Sequence, residues 1–187
     1  MIIVFTGRGK GKTTAALGQM MRVLGCGKRA LMIQFIKGPW RSGEDDFAKK
    51  FQILLRKAKD PEQRRRANSF SIKKMGLGFV GILGDKLPFL KHKEAARKAL
   101  AYFKKELKSK RWHLVVLDEI NVAVSLGLLE AKAVLSSIKN FPKNKLLILT
   151  GRNAPKEFIK IADLVTEMKE TKHPYWSGRL AEYGIDF

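Results

Sequence analysis

TGRGKGKTTAALG, residues 6–18, decides the fold. It reads as a phosphate-binding loop running into a helix. The common pattern is Gly, four residues, then Gly-Lys-Ser/Thr. Counted back from Gly11-Lys12-Thr13, the first position falls on Thr6, and the glycine comes one place late, at Gly7. The loop is therefore degraded, coincidental, or shortened for different phosphate chemistry. IIVFT (2–6) precedes it, an apolar run too short for a helix and rich in β-branched residues. KTTAALGQMMRVLG (12–25) follows with apolar residues at helical spacing. A strand, a glycine-rich turn and a helix N-terminus make an anion cradle, and this context argues against coincidence. Gly7, Gly9 and Gly11 supply the turn. Lys12 supplies a point charge for a phosphate oxygen, and the Thr13 hydroxyl can ligate the Mg²⁺ that accompanies phosphates. Arg8 and Lys10 add two more cations.

Working outward, short apolar runs alternate with helical segments. RALMIQFI (29–36), FSIKKM (70–75), LVVLDE (114–119), KLLILT (145–150) and DLVTEM (163–168) read as strands. EDDFAKKFQILLRKA (44–58), FLKHKEAARKALAYFKKELKSK (89–110) and APKEFIKIA (154–162) read as helices. Near-continuous apolar strands separated by helices predict an α/β fold, a mostly parallel sheet with helices on both faces, P-loop NTPase-like (RecA-like). The 187 residues suit one domain, 1–187, with a substantial core. Residues 56–88 are the least regular and are expected to form an excursion over one end of the sheet.

The second half of a phosphate site should be an acid at the end of a neighbouring apolar strand. LVVLDE supplies Asp118 and Glu119, one to hold Mg²⁺ directly or through water and the other to orient a neighbour. Together with the loop, they point to a nucleoside triphosphate and magnesium. A GTPase would carry Asn/Thr-Lys-x-Asp after a later strand, and the nearest candidate, NKLL (144–147), lacks the acid. A small-substrate kinase and a motor-type ATPase stay open on the loop alone.

Charge bears on partners. Lysine and arginine number 38 against 17 acids, for a net charge of +21, with local runs at 54–66 and 102–111. A basic surface concentrates anions of any kind, nucleic acid included. The aromatics that single-strand binding favours are sparse in these runs, so solvated helix faces are the expected reading and nucleic acid is disfavoured. No apolar run approaches the roughly 20 residues of a membrane helix, and MIIVFTG lacks the features of a signal peptide. Cys26 is the only cysteine, which suggests the reducing cytoplasm and a packing role. His92, His113 and His173 lack metal-ligand spacing, and the first two are expected at the surface or a strand edge.

Taken together, GRGKGKTTAALG, QFIKGPWRSGE (34–44), GLGF (76–79), VVLDEI (115–120), LTGRNAP (149–155), IADLVTEM (161–168) and KHPYWSGRLAEYGIDF (172–187) resemble the P-loop corrinoid adenosyltransferases. The resemblance covers nearly the whole chain and is weakest over about 47–74. The family's loop is itself one residue short, which makes Gly7 to Thr13 a match. The resemblance implies transfer of the 5′-deoxyadenosyl group from ATP to Co(I) of a corrinoid, with release of triphosphate. It puts Gly7, Arg8, Gly9, Lys10, Gly11, Lys12, Thr13 and Thr14 on the triphosphate and Thr13, Glu119 and Asp118 on the magnesium (or manganese) side. Lys12, Thr13 and Glu119 would carry catalysis, Arg22 and Arg152 would lie near the nucleotide, and Phe79 would face the corrin. Phe79 would help to exclude a lower axial ligand from cobalt. Some relatives have a tryptophan where this chain has Gly81, leaving Phe79 alone or joined by Trp40 or Trp176. Some also carry an N-terminal extension over the corrin, a place that an open pocket or the 56–88 excursion would take here. A homodimer and an electron-donating flavoprotein reductant are the implied partners. The competing class is a nucleic-acid-stimulated P-loop ATPase, and a third reading is a corrinoid-binding relative without turnover.

Overall fold

The computed structural model describes residues 1–66, 69–82 and 84–185. Positions 67, 68, 83, 186 and 187 lie outside the described residues, the last two closing the GIDF segment. Six strands form one sheet: β1 (Ile2–Thr6), β2 (Ala30–Gln34), β3 (Phe70–Lys74), β4 (Leu114–Asp118), β5 (Leu146–Thr150) and β6 (Leu164–Glu167). The spatial order is β3-β2-β4-β5-β1-β6, and every pairing is parallel. All six strands therefore end on the same edge, where α/β sheets bind their ligands. β5 separates β1, which feeds the glycine turn, from β4, which delivers the acids.

The helices among the described residues are α1 (Lys12–Gly25), α2 (Gly43–Lys57), α3 (Pro61–Arg66), α4 (Phe89–Lys108), α5 (Ile120–Ser125), α6 (Ala131–Ile138) and α7 (Lys156–Ile161). Alternation along each strand splits the core in two. Ala30 and Met32 face Ala16 and Met20 of α1 and Ala48 of α2. Leu31 and Ile33 face Ala96, Ala99, Leu100 and Phe103 of α4, in a cluster that also holds Val134 of α6 and Phe158 of α7. Helices thus cover both faces of a P-loop NTPase-like α/β sheet, as the apolar strand pattern predicts.

Most boundaries stay or move inward by one or two residues, α2 begins one residue earlier than expected, and three helices have no counterpart in the sequence pattern. α3, α5 and α6 have six, six and eight residues, too short to show a helical period, and INVAVS in α5 is rich in β-branched residues that favour strands. Within 56–88, Phe70–Lys74 joins the sheet as its edge strand, and the chain after it returns along the ligand-side edge through Met75 N–H to Gln34 O (3.0 Å) and Gly78 N–H to Ile36 O (2.9 Å). Two smaller expectations are corrected. His92 is buried, on the same α4 face as Ala96, Ala99 and Phe103, and its Nε2 lies 3.0 Å from Asp85 Oδ2. Cys26 is exposed just past the end of α1, outside the buried core. Among the described residues no helix is long and apolar enough to cross a membrane.

Candidate active site

The turn between β1 and α1 is built by three glycines with two different jobs. Gly7 and Gly11 take φ of 96° and 111°, the left-handed region that side chains avoid. Gly9 is there for space. Its N–H donates to Met168 O at 2.7 Å, and an added Cβ would stand 2.6 Å from Lys169 O. The turn is thus seated against the chain leaving β6. Ala15 N–H is the first to close the helical ladder, on Gly11 O at 2.8 Å, and no side chain caps α1. The amides of Lys12, Thr13 and Thr14 keep the unsatisfied donors and positive dipole end of a helix start.

Lys12 is 7% exposed, and its Nζ donates to Gly7 O (2.9 Å) and Gly9 O (2.6 Å). Burial pulls its pKa down, and the positive charge of Arg152 adds to this; Glu119 and Asp118 pull the other way. Arg152 therefore acts electrostatically on the loop lysine, although its own side chain is exposed. Arg8 and Lys10 are exposed rim residues and Gly9 is buried between them. Lys10 Nζ donates to Ile185 O (2.8 Å), so the C-terminal segment passes over the loop. A cleft of about 530 Å³ lies beside the loop, bordered by Gly7, Arg8, Asn153, Glu167 and Lys169.

The acid pair divides its work. Asp118 is fully buried at the end of β4 and accepts three hydrogen bonds, from Thr13 Oγ1 (2.9 Å) and Thr150 Oγ1 (2.7 Å) on Oδ1 and from Gln34 Nε2 (3.1 Å) on Oδ2. Burial outweighs these bonds and raises its pKa. Glu119 has φ 60° and ψ 22°, a left-handed backbone for a non-glycine residue, which costs about 1–3 kcal/mol. Its N–H is held by Thr150 Oγ1 at 3.0 Å. Burial first, and then the Asp118 charge, push its carboxyl up to about 7, against the pull of Lys12 and Arg152. Two oxygen-bearing acids and a threonine hydroxyl converge on the first turn of α1.

Of the predicted residues, Gly7 to Thr14, Asp118, Glu119 and Arg152 share this neighbourhood. Arg22 does not. It is exposed in the last turn of α1, ten residues and about 15 Å along the helix axis from Lys12. Phe79 lies on the segment after β3 and is 46% exposed. Its ring lies 5.7 Å from that of Trp40 at a tilt of 34°, and Trp40 is itself 59% exposed. Gly78 leaves room for the indole: a Cβ there would come within 2.4 Å of Trp40 Cη2. Trp176 is elsewhere, 75% exposed and donating to Glu170 Oε1 at 2.7 Å.

Gln34, Thr150, Glu44 and Lys37 escape sequence reasoning. Gln34 Nε2 also donates to Glu44 Oε1 at 3.4 Å, and Glu44 pairs with Lys37. A signal does exist for the first two. Each is a polar residue closing an otherwise apolar strand, ALMIQ and LLILT.

A strand, a glycine turn and an uncapped helix start, facing a buried aspartate from the next strand but one, define a P-loop nucleotide-binding protein. Residues 1–187 match the model of the ATP:corrinoid adenosyltransferase BtuR/CobO/CobP family. The chain is 36% identical over 187 residues to the corrinoid adenosyltransferase of Pseudomonas aeruginosa, covering 100% of this chain and 83% of that one. It is 32% identical over 191 residues to the corrinoid adenosyltransferase CobA of Salmonella typhimurium, covering 100% and 85%. Among solved structures, the RadB recombinase superposes with a TM-score of 0.43 and 18% identity, over 81% of this chain and 60% of that one. The chain belongs to the ATP:corrinoid adenosyltransferase family.

Proposed function

We propose that the chain transfers the 5′-deoxyadenosyl group of ATP to the Co(I) centre of a corrinoid, releasing inorganic triphosphate, in adenosylcobalamin synthesis or corrinoid salvage. The observation that carries this reading is the shortened Gly7–Thr13 turn closed on Lys12 and tied through Thr13 to Asp118, in a chain matched end to end by the family.

In the reaction, Co(I) donates an electron pair to the ribose 5′-carbon. A cobalt–carbon bond forms, the C5′–O bond breaks, and triphosphate leaves with that bond's electrons. The charge developing on the leaving group is spread over the whole triphosphate, so the cradle must hold all of it. The amides of Lys12, Thr13 and Thr14 would hold it from the helix start, with the Lys12 ammonium beside them. Arg8, Lys10 and Arg152 would supply the surrounding positive charge. The chain's part is positioning and electrostatics, and the reaction asks for no side-chain nucleophile or general base.

The donors around Thr13 fit a small hard cation. Two carboxylates and a hydroxyl leave coordination places for phosphate oxygens and water, as Mg²⁺ prefers, and both carboxyls are acids lifted by burial that a nearby cation would relieve. Thr13, Asp118 and Glu119 would hold Mg²⁺ or Mn²⁺, which would neutralise charge on the departing triphosphate. Phe79 and its neighbour Trp40 would face the corrin, crowd the lower axial side of cobalt and ease reduction of Co(II). We take 1–187 as one domain working as a homodimer in the cytoplasm with a flavoprotein electron donor.

The test is to mix ATP with chemically reduced cobalamin and follow the visible spectrum. A light-sensitive alkyl-cobalt product supports the proposal. ADP and phosphate, formed faster with DNA or RNA, would make the chain a nucleic-acid-stimulated ATPase instead. Corrinoid binding without the alkyl product would make it a relative without turnover.

A further inference from the structure

Gln34 is 0% exposed at the end of β2, a strand buried along its whole length. Its Nε2 lies between two carboxylates, 3.1 Å from Asp118 Oδ2 and 3.4 Å from Glu44 Oε1. That fixes the amide's orientation, because the oxygen in the same place would face two acceptors. The Oε1 atom is then left buried with no partner among the described residues. Burying a carbonyl without a hydrogen-bond partner costs stability. A leucine or methionine would fill the position without that cost, so packing does not account for the amide.

What the amide does is join two parts of the molecule. On one side stands Asp118, which holds the Thr13 hydroxyl at the first turn of α1. On the other stands Glu44 in the first turn of α2, paired with Lys37. Burial works to raise the Glu44 pKa, and Lys37, the backbone N–H of Glu44 and Ser42 together outweigh it and leave the carboxyl below its ordinary value. Lys37 and Glu44 bracket the segment that carries Trp40. The same segment is pinned from β3, where Lys74 Nζ reaches both the Asp45 carboxylate and the Trp40 carbonyl. A continuous line therefore runs Thr13, Asp118, Gln34, Glu44, Lys37, from the phosphate turn to the aromatic pair. Each bond in such a line polarises the next.

We propose that Gln34 is a positioning residue that couples nucleotide binding at the phosphate turn to the placement of the 36–44 segment, whose Trp40 packs against Phe79. The coupling rests on the reading of Thr13 and Asp118 as groups on the triphosphate side. A ligand that draws Thr13 or Asp118 changes the load on Asp118 Oδ2, the amide follows, and Glu44 with Lys37 moves the segment. Binding of the first substrate would thus order the surface that receives the second.

Hydrogen–deuterium exchange on the whole chain, with and without ATP, tests this directly. In the wild type ATP is expected to slow exchange at both 7–15 and 36–44. Gln34→Met keeps the shape of the buried side chain and removes both hydrogen bonds. It is expected to keep the slowing at 7–15 and lose it at 36–44, and to raise the corrinoid KM by about fivefold or more, the ordinary size of a coupling between sites. Glu44→Gln keeps an acceptor for Gln34 and should retain the effect, while Glu44→Leu should lose it. Because Glu44 is not in the sheet, that pair also decides the matter if Gln34→Met fails to fold. Slowing at 36–44 that persists in Gln34→Met or Glu44→Leu overturns the coupling, as does a wild type whose 36–44 segment ignores ATP. No slowing at 7–15 in the wild type would sink the nucleotide site itself and the coupling with it.

Discussion

Replacing Glu119 by glutamine is expected to make the chain more stable above neutral pH while crippling its activity. Burial, and then the neighbouring Asp118 charge, lift this carboxyl from 4.5 to about 7. The folded chain therefore holds the proton more tightly than the unfolded chain does. The stabilisation from the protonated carboxyl is fully present below pH 4.5 and is lost as pH rises through 7. The difference, 7 minus 4.5, at about 1.4 kcal/mol for each pKa unit, gives roughly 3 kcal/mol of destabilisation above neutrality. Glutamine removes the charge, so the variant should gain on the wild type by most of that amount between pH 5 and pH 8, since part of the loss has already begun at pH 5. Urea unfolding at both pH values, in chelator and without nucleotide, measures it. With a urea slope of about 2 kcal/mol/M, the variant's midpoint should move up relative to wild type by roughly 1–1.5 M at pH 8 over its offset at pH 5. An offset independent of pH would refute the reasoning, because Glu119 would then ionise alike in folded and unfolded chains.

Lys12→Ala should cut turnover by at least about 10²–10³-fold. Its melting temperature should change little, because burial disfavours the lysine's charge, and activity set beside a thermal melt checks both. Gly9→Ala puts a methyl group against the Lys169 carbonyl, so it should cost about 1–3 kcal/mol in chemical denaturation and weaken ATP binding in a calorimetric titration. Trp40→Ala removes half of the aromatic pair. Its activity should fall several-fold with Co(II) corrinoid plus a reductant and much less with Co(I) supplied ready-made, and equal losses in the two assays would remove Trp40 from the corrin face.

The parts of the site legible in the sequence are those whose chemistry is local. The phosphate turn announces itself because strand, glycines, lysine and threonine occur within twelve residues, 2–13. Asp118 and Glu119 are legible because they end a strong apolar run. The division of labour between them is not, since it depends on Thr150 and Gln34, which come from two other strands. The same holds for Trp40 and Phe79. Each is visible alone, but only the return of the chain along the sheet edge after β3 brings the rings together. The burial of His92 is not legible in the sequence, because its place on the buried face of α4 depends on where that helix meets the sheet, and its partner Asp85 lies in a loop without periodicity. α5 and α6 are stabilised by packing of Ile120, Ala123, Val134 and Ile138 in the core, a tertiary effect that overrides weak local preference.

The claim on which the account stands is that the shortened turn grips the whole polyphosphate and lets it go in one piece. Phosphorus NMR of the spent nucleotide, after one turnover on reduced cobalamin, reads this directly. The account predicts intact inorganic triphosphate in equal amount to the alkyl-cobalt product. ADP with orthophosphate, or AMP with pyrophosphate, would contradict it.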